Sequence, residues 1–177
     1  MNTAATRPFD RDTALRIARA FLPKHPLGNR WDYYYTLAKL RSDPLYPGVL
    51  QALRGSDAPV LDLGCGLGLL AHALRADGQH MAYRGVDNDA AKITRANKVA
   101  EKNALVDTRF DVVDLAGGPP AHQGSVAILD VLQYLDAQGQ RRLIAQVSAM
   151  LTSGARLVIR TALGDDSRRG KTSQVTD

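Results

Sequence analysis

The feature that most constrains this chain is a glycine-rich turn directly after a short apolar run. The run, Val60 to Leu63, is interrupted only by Asp62, and this pattern is typical of a strand buried in a parallel sheet. Three glycines follow at alternate positions: Gly64, Gly66 and Gly68. Glycine lets a chain turn sharply out of a strand and lets bare backbone approach a ligand. The helical pattern that begins at Leu67 completes a unit of strand, turn and helix.

The glycine spacing narrows the choice of ligand. A dinucleotide-binding turn reads G-x-G-x-x-G, whereas here the third glycine comes one residue earlier, and no Lys-Ser/Thr pair follows that would indicate a P-loop. Asp87 ends a second apolar stretch, Met81 to Val86, and stands 19 residues beyond Gly68. A carboxylate at that place can accept hydrogen bonds from both ribose hydroxyls. The pattern therefore favours a nucleoside ligand without a pyrophosphate.

These two motifs, Val60 to Gly68 and Gly85 to Asp89, resemble the class I S-adenosylmethionine-dependent methyltransferases, and the resemblance covers roughly residues 59–161. In that family the glycine loop lies under the methionine part of the cofactor, and the acid after the second strand binds the ribose. The resemblance implies that S-adenosyl-L-methionine is the cofactor and that its site includes Asp62, Gly64, Cys65, Gly66, Gly68, Asp87 and Asn88. A glycine turn that merely joins strand to helix in another α/β domain is the alternative.

The family also has an acid near the adenine, after its third strand. Here the third predicted strand is Arg109 to Asp114, so the resemblance implies that Asp114 and the adjacent Leu115 are the adenine-side residues. Asp111 is the competing candidate, because strand ends predicted from sequence can be wrong by two or more residues.

Strands and helices alternate along the whole chain, which predicts a doubly wound, mostly parallel α/β sheet of the Rossmann-like methyltransferase type. The fourth and fifth predicted strands are Ser125 to Asp130 and Arg156 to Arg160. The other predicted helices are Thr13 to Leu22 (capped by Asp12 or Thr13), Pro44 to Arg54, Asp89 to Asn103 (capped by Asn88 or Asp89) and Gln140 to Leu151.

Two regions are expected from this pattern. Residues 1–56 form an N-terminal helical segment covering the cofactor cleft, and residues 57–177 form the cofactor-binding core. The family's sheet usually continues past a fifth strand, but Ala162 to Asp177 is polar and weakly patterned. Either the sheet is shortened at its C-terminal end or the chain is part of a longer one. A bare fifth strand also leaves a homodimer open, because unpaired edge strands need cover.

The segment Trp31 to Arg41 contains four aromatic residues and is expected to supply part of the cleft. Adjacent aromatics cannot all face one side of a helix, so one or two are left to line a cleft rather than the core. The resemblance implies that such a segment contributes a hydroxyl or a cation to the cofactor carboxylate. Lys39 and one of Tyr33 to Tyr35 are the candidates, with solvent-exposed or core positions as the alternative.

The end of the fourth strand is expected to border the substrate, because ligands of open parallel sheets bind where the strand order reverses. Asp130, Gln133 and Tyr134 lie there. Asp130 is also a candidate cofactor contact. Asp130 and Tyr134 are the candidate catalytic residues if the methyl acceptor carries a proton of high pKa and needs a base.

Composition excludes several other classes of function. The single cysteine rules out an internal disulfide and a cysteine-built zinc site, and the four histidines lack metal-ligand spacing, so no metal is expected. The net charge of +5 invites a nucleic-acid hypothesis, but the cations are spread over several helices and their one cluster, Arg168 to Lys171, is in the polar tail. No apolar run approaches membrane-span length and no signal-peptide core is visible, which favours a cytoplasmic protein.

The sequence therefore predicts an S-adenosylmethionine-dependent methyltransferase that acts on a small molecule. The Asn/Asp-Pro-Pro-Tyr/Phe element that would indicate methylation of base or glutamine amino groups is absent after the fourth strand. An RNA methyltransferase, supported by the charge, and a cofactor-binding protein without catalysis remain the alternatives.

Overall fold

The computed structural model describes residues 6–161, so the predicted tail and the cluster Arg168 to Lys171 lie outside the described residues. Five parallel strands form one sheet in the order β3-β2-β1-β4-β5. Their bounds are β1 Val60–Leu63, β2 Tyr83–Asp87, β3 Thr108–Val112, β4 Ser125–Leu129 and β5 Leu157–Arg160. The predicted doubly wound α/β fold is confirmed.

Six α-helices connect and cover these strands in the described part of the chain. They are α1 Arg11–Ala18, α2 Trp31–Ser42, α3 Leu45–Leu53, α4 Leu69–Ala76, α5 Ala90–Lys102 and α6 Ala137–Ser148. Short 3-10 turns follow α1, β3 and β4, at Arg19–Phe21, Leu115–Gly117 and Leu132–Tyr134.

Three element boundaries differ from the predicted ones because an aspartate provides the cap. Helix α1 begins before Thr13, since Asp10 accepts hydrogen bonds from the backbone N–H groups of Asp12 and Thr13 at 2.9 and 3.0 Å. Helix α6 begins at Ala137 rather than Gln140 because Asp136 caps it, and it ends at Ser148 rather than Leu151. Strand β3 ends at Val112 because Asp114 caps the next 3-10 turn. Asp89 caps α5, as one of the two alternatives predicted.

The sheet has a buried layer on each face. Successive side chains of β1 point to opposite faces of the sheet, so Val60 lies in one layer and Leu61 lies in the other. The first layer contains side chains of the three helices before β1, among them Ile17, Leu40 and Leu53, packed with residues of α4 and α5. The second layer packs β4 against α6 through Val126, Ile128, Leu143 and Val147. The N-terminal helices therefore share the core of the sheet.

The order of the strands determines where a ligand can bind. Chain order runs outward from β1 through β2 to β3 on one side, and the chain then crosses to β4 and β5 on the other. The reversal lies between β1 and β4, which pair from Val60 opposite Ser125 to Leu63 opposite Ile128. Loops after these two strands diverge above and below the sheet and leave a crevice at their carboxyl ends.

Candidate functional site

The glycine loop after β1 forms the floor of this crevice. Gly64 and Gly66 have φ angles of 78° and 55°, a backbone conformation that strongly favours glycine. A Cβ atom on Gly64 would collide with the Val131 side chain, so the loop lies tightly against the turn after β4. A Cβ atom on Gly66 would meet no atom within 4 Å. Gly66 thus presents bare backbone to open space on the cleft side.

Gly68 has a different position from the other two glycines. It caps α4 with a φ of 75°, and a Cβ atom there would lie 2.5 Å from the ring of Phe110. Gly68 is absent from the residues that line the cleft. The missing side chain of Gly68 lets α4 start close to β3, and a contact of Gly68 with the cofactor stays a prediction.

A cleft of about 1330 Å³ opens above the glycine loop, at the carboxyl ends of the strands. Most residues predicted for the site line it: Lys39, Asp62, Gly64, Cys65, Gly66, Asp87, Asn88, Asp114, Leu115, Asp130 and Tyr134. The fold therefore brings together residues that are up to 95 positions apart in the sequence (134 − 39). Their binding of a cofactor stays a prediction.

Asp87, at the end of β2, organises one wall of the cleft. Its Oδ2 atom accepts a hydrogen bond from the backbone N–H of Gly66, and Oδ1 accepts one from the N–H of Asp89, each at 2.9 Å. The carboxylate thus fixes the glycine loop to the start of α5. Asp114, on the same wall, accepts a hydrogen bond from the N–H of Ala116 at 2.9 Å. Within residues 6–161 neither carboxylate forms an ion pair with a Lys, Arg or His side chain.

Asp62, in β1, is the most buried of these three acids, with 2% of its surface exposed. Its Oδ2 atom accepts a hydrogen bond of 2.5 Å from the Tyr83 hydroxyl group, while Oδ1 is buried and has no hydrogen-bond partner among the described residues. Burial raises the pKa of the Asp62 carboxyl to about 7; the Tyr83 hydrogen bond opposes this rise and the charge of Asp87 adds to it.

Asp111, the competing candidate for the adenine-side acid, has a structural partner elsewhere. It lies within β3, and its Oδ2 atom accepts a hydrogen bond of 2.7 Å from Arg84 on the neighbouring strand. Asp111 does not line the cleft, whereas Asp114 does. Of the two alternatives, only Asp114 is therefore placed to contact a ligand there.

The opposite wall, at the ends of β4 and β5, contains an ion-pair cluster that the sequence did not reveal. Arg160 donates to both carboxylate oxygens of Asp130, from Nε to Oδ1 at 2.8 Å and from Nη2 to Oδ2. The same guanidinium donates from Nη1 to Asp43 at 2.5 Å, and Lys39 Nζ contacts the second oxygen of Asp43 at 2.9 Å. We call these four residues, Lys39, Asp43, Asp130 and Arg160, the clamp.

The clamp engages the whole Asp130 carboxylate. Both of its oxygens accept hydrogen bonds from the guanidinium of Arg160. Asp130 also has a φ of 58°, an uncommon value for a residue with a side chain, so the clamp holds a bent end of β4. Asp130 thus contributes to the structure of this wall, and its catalytic role stays a prediction. Tyr134 is 63% exposed at the rim of the cleft.

Helix α2 forms the upper edge of the cleft. Tyr35 and Lys39, one turn apart, line it, and Tyr46 of α3 lies next to them. Tyr33 instead packs against the cluster of Phe21, Leu67 and Leu69. Trp31 is 67% exposed and does not line the cleft, so of the four aromatics only Tyr35 faces it.

The glycine loop also contains Cys65, whose thiol is buried. Burial raises the pKa of the Cys65 thiol, which therefore stays protonated and is a poor nucleophile. Within residues 6–161 no three His, Cys, Asp or Glu side chains are grouped as metal ligands would be.

None of the helices within residues 6–161 has the length and apolar character needed to cross a bilayer.

Comparison with known protein families identifies the family to which this fold belongs. The family model described as a methyltransferase domain matches residues 60–154, which run from the start of β1 to the turn before β5. The chain belongs to this methyltransferase family. The predicted family is thereby confirmed.

Curated relatives of this methyltransferase domain are similar over part of the chain. The ubiquinone biosynthesis O-methyltransferase of Xylella fastidiosa is 30% identical over 107 residues, which cover 60% of this chain and 42% of that enzyme. The protein of the same name from Methylocella silvestris is 32% identical over 108 residues, covering 60% and 40%. The methyltransferase chain thus spans about two fifths of the length of the curated relatives it matches.

Solved structures of methyltransferases share its architecture. Coclaurine N-methyltransferase bound to N-methylheliamine and SAH aligns with a TM-score of 0.55 at 13% identity, covering 88% of this chain and 45% of that one. The glycopeptide N-methyltransferase MtfA aligns with a TM-score of 0.56 at 18% identity, covering 64% and 50%. At such low identities the likeness shows the fold alone.

Proposed function

We propose that this domain binds S-adenosyl-L-methionine in the cleft and transfers its methyl group to a small molecule. One observation supports this most strongly. Asp62, Asp87 and Asp114 line a single wall at the ends of β1, β2 and the turn after β3, and within residues 6–161 no cationic side chain pairs with any of them. A ligand with two positive groups and ribose hydroxyls matches such a wall.

The residues of the wall fit this cofactor in detail. The open space over Gly66 lets the ligand lie against bare backbone, as the close approach of a glycine loop requires. Each oxygen of Asp87 accepts one backbone N–H and keeps further acceptor capacity for a ribose hydroxyl. The unpartnered Oδ1 atom of Asp62 is a buried acceptor that needs a donor from the cleft side, directly or through water.

When bound, the cofactor supplies a methyl group already activated by the positive sulfur. The work left to this chain is to hold donor and acceptor in line and to exclude water. The acidic wall and glycine loop fix the donor side. On the other side, apolar surface from Leu45, Leu129 and Val131 excludes water from the space where the acceptor has to lie.

The acceptor side of the cleft favours a small molecule with an aromatic or apolar body. Tyr35, Tyr46 and Tyr134 line it together with the leucines, and aromatic rings stack well on such surfaces. The O-methyltransferase names of the curated relatives support a hydroxyl group as the methyl acceptor. With Asp130 held by Arg160, Tyr134 is the remaining candidate for assisting removal of the hydroxyl proton.

Isothermal titration calorimetry with S-adenosylmethionine and S-adenosylhomocysteine tests the proposal. Asp87→Ala removes charge-assisted hydrogen bonds worth about 1.5 to 3 kcal/mol each, so the affinity should fall at least about tenfold. Asp111→Ala is the matched control: it removes a carboxylate from the adjacent strand that does not line the cleft, and its affinity should stay within about twofold of the wild type. Equal affinities for wild type and Asp87→Ala would refute the assignment.

A further inference from the structure

Tyr83 has an unusual position for a residue that influences a ligand site. It is the first residue of β2, is 2% exposed and does not line the cleft. Its ring packs edge to face against Phe110, with centroids 5.8 Å apart, and its hydroxyl group donates the 2.5 Å hydrogen bond to Asp62. Packing therefore fixes the ring, and the ring fixes the direction from which Asp62 is held.

Asp62 depends on this one bond. The ionisable groups that face it from the surrounding elements are Tyr83 and Asp87 of β2, Cys65 of the glycine loop and Tyr46 of α3. None of these is a cation, and burial together with the charge of Asp87 favours the neutral carboxyl. Within residues 6–161 the Tyr83 hydroxyl donates a hydrogen bond to Asp62, and such a donor stabilises the ionised form of the carboxyl.

We propose that Tyr83 is a positioning residue of the cofactor site, whose hydroxyl group favours the ionised form of Asp62 and leaves Oδ1 turned to a cationic group of the cofactor. The inference rests on the proposed function. In this proposal Tyr83, which is buried outside the cleft, stabilises the negative charge of Asp62 inside it. Removal of that hydroxyl leaves the packing of the ring in place but makes Asp62 easier to protonate at neutral pH.

The decisive property of Tyr83→Phe is a loss of S-adenosylhomocysteine affinity that is present at pH 7 and disappears at pH 9. Since the pKa of Asp62 is about 7, the wild-type carboxyl is already partly protonated at neutral pH. In Tyr83→Phe that pKa rises, so a smaller fraction is ionised at pH 7, whereas both proteins are ionised at pH 9. A structural defect would weaken binding equally at both pH values.

The experiment measures the dissociation constant of S-adenosylhomocysteine for wild type, Tyr83→Phe and Tyr33→Phe at pH 7 and pH 9. The ratio of variant to wild type at one pH cancels any titration of the ligand. For Tyr83→Phe we expect a ratio of about five or more at pH 7 and below about two at pH 9. Tyr33→Phe removes a hydroxyl from a half-buried tyrosine that does not line the cleft, and its ratio should stay near one at both.

A second measurement does not depend on the cofactor. Infrared spectra of the ligand-free protein, with Asp62→Asn subtracted, isolate the C=O band of protonated Asp62. The midpoint at which this band disappears should move to higher pH in Tyr83→Phe. If Tyr83→Phe fails to fold, Asp62→Asn takes its place in the binding assay: its ratio to wild type should grow between pH 6 and pH 9, because only the wild type gains charge.

An unchanged infrared midpoint overturns the role of Tyr83, as does an equal loss of affinity at pH 7 and pH 9. A ratio of Asp62→Asn to wild type that stays constant with pH overturns it as well. Failure of the proposed function looks different: wild type then binds neither S-adenosylmethionine nor S-adenosylhomocysteine at any pH. That result removes the cofactor from the proposal and overturns it, whatever the infrared midpoint shows.

Discussion

The two walls of the cleft use the same residue type in opposite ways. On the wall of β1 to β3, Asp62, Asp87 and Asp114 accept hydrogen bonds from neutral groups, and no cation of the described chain pairs with them. On the wall of β4 and β5, Asp43 and Asp130 are both bound by Arg160. The first arrangement leaves negative charge that a cationic ligand can neutralise. In the second arrangement the carboxylates are already paired with a cation of the protein. Carboxylates without a cationic partner and carboxylates in ion pairs are thus separated onto the two walls.

The largest effect expected from this division concerns the glycine loop of the first wall. Gly66→Val should abolish detectable binding of S-adenosylhomocysteine in calorimetry, because the new side chain projects into the open space that the ligand needs. The left-handed backbone at Gly66 also makes any side chain cost about 1 to 2 kcal/mol of stability.

Gly78→Val separates these two effects. Gly78 has a φ of 78°, and a Cβ atom there meets nothing within 4 Å, but it follows α4 away from the cleft. The variant should therefore lose a similar free energy of unfolding and keep its affinity. Comparable binding losses in both variants would mean that backbone strain, rather than occupation of the cleft, explains the result.

The second wall should respond in stability and not in cofactor affinity. Arg160→Met leaves Asp130 without its cation and Asp43 with Lys39 alone, which should lower the free energy of unfolding by about 1 to 2 kcal/mol once screening of the partly exposed pair is allowed for. Cofactor affinity should change by less than about threefold. Urea denaturation and calorimetry on the same protein give both values.

Arg54→Met is the matched control for the clamp. Arg54 binds both oxygens of Asp77 at 2.9 and 2.7 Å, but its side chain is 63% exposed and lies away from the cleft. Its loss should cost less than about 1 kcal/mol. A tenfold loss of cofactor affinity in Arg160→Met would show that the clamp also belongs to the donor site and would erase the contrast between the walls.

The smallest expected effect is that the contributions of Asp62 and Asp43 to the free energy of unfolding change in opposite directions with pH. Burial raises the pKa of Asp62 to about 7, so its contribution to stability is present in acid and is lost as the pH rises toward 7 and beyond. Burial also acts to raise the pKa of Asp43, but hydrogen bonds from Arg160 and Lys39 outweigh it and lower the pKa. Asp43 therefore contributes stability above pH 4 that is lost as the pH falls.

Urea denaturation of wild type, Asp62→Asn and Asp43→Asn between pH 3 and pH 8 tests this difference. The stability of wild type relative to Asp62→Asn should decrease from pH 5 to pH 8. The stability of wild type relative to Asp43→Asn should decrease from pH 5 to pH 3. Two differences that vary in the same direction would contradict the separate charge states assigned to the walls.

The first wall was largely predictable from the sequence because its chemistry is local. A buried strand, three glycines and an acid after the next strand are read directly from the order of residues, and these elements appear where predicted. The packing of Gly68 was not predictable, because its spacing matches that of the other glycines and its neighbour Phe110 comes from β3. Only the packed fold shows which of the glycines line the cleft.

The second wall could not be predicted because its contacts are long-range. Arg160 meets Asp130 and Asp43 across 30 and 117 residues of sequence. The contact with Asp130 depends on β5 pairing with β4 so that Arg160 lies opposite Leu129, and the alternation of strands and helices does not specify that register. Similarly, which of the aromatics on α2 faces the cleft depends on how the helix packs against α1.

The clamp has a consequence for the order in which the protein is made. The acids and glycines of the first wall all lie between Val60 and Leu115, whereas the second wall needs Arg160, which follows after the 45 residues from Ala116 to Arg160. At about 5 to 20 residues per second, a ribosome takes about 2 to 9 s to add that segment. During synthesis the nascent chain therefore holds all the donor-side groups for seconds before Asp43 and Asp130 acquire their common guanidinium partner. Assembly of the second wall therefore waits for a residue on β5, the outermost strand on that side of the sheet within residues 6–161.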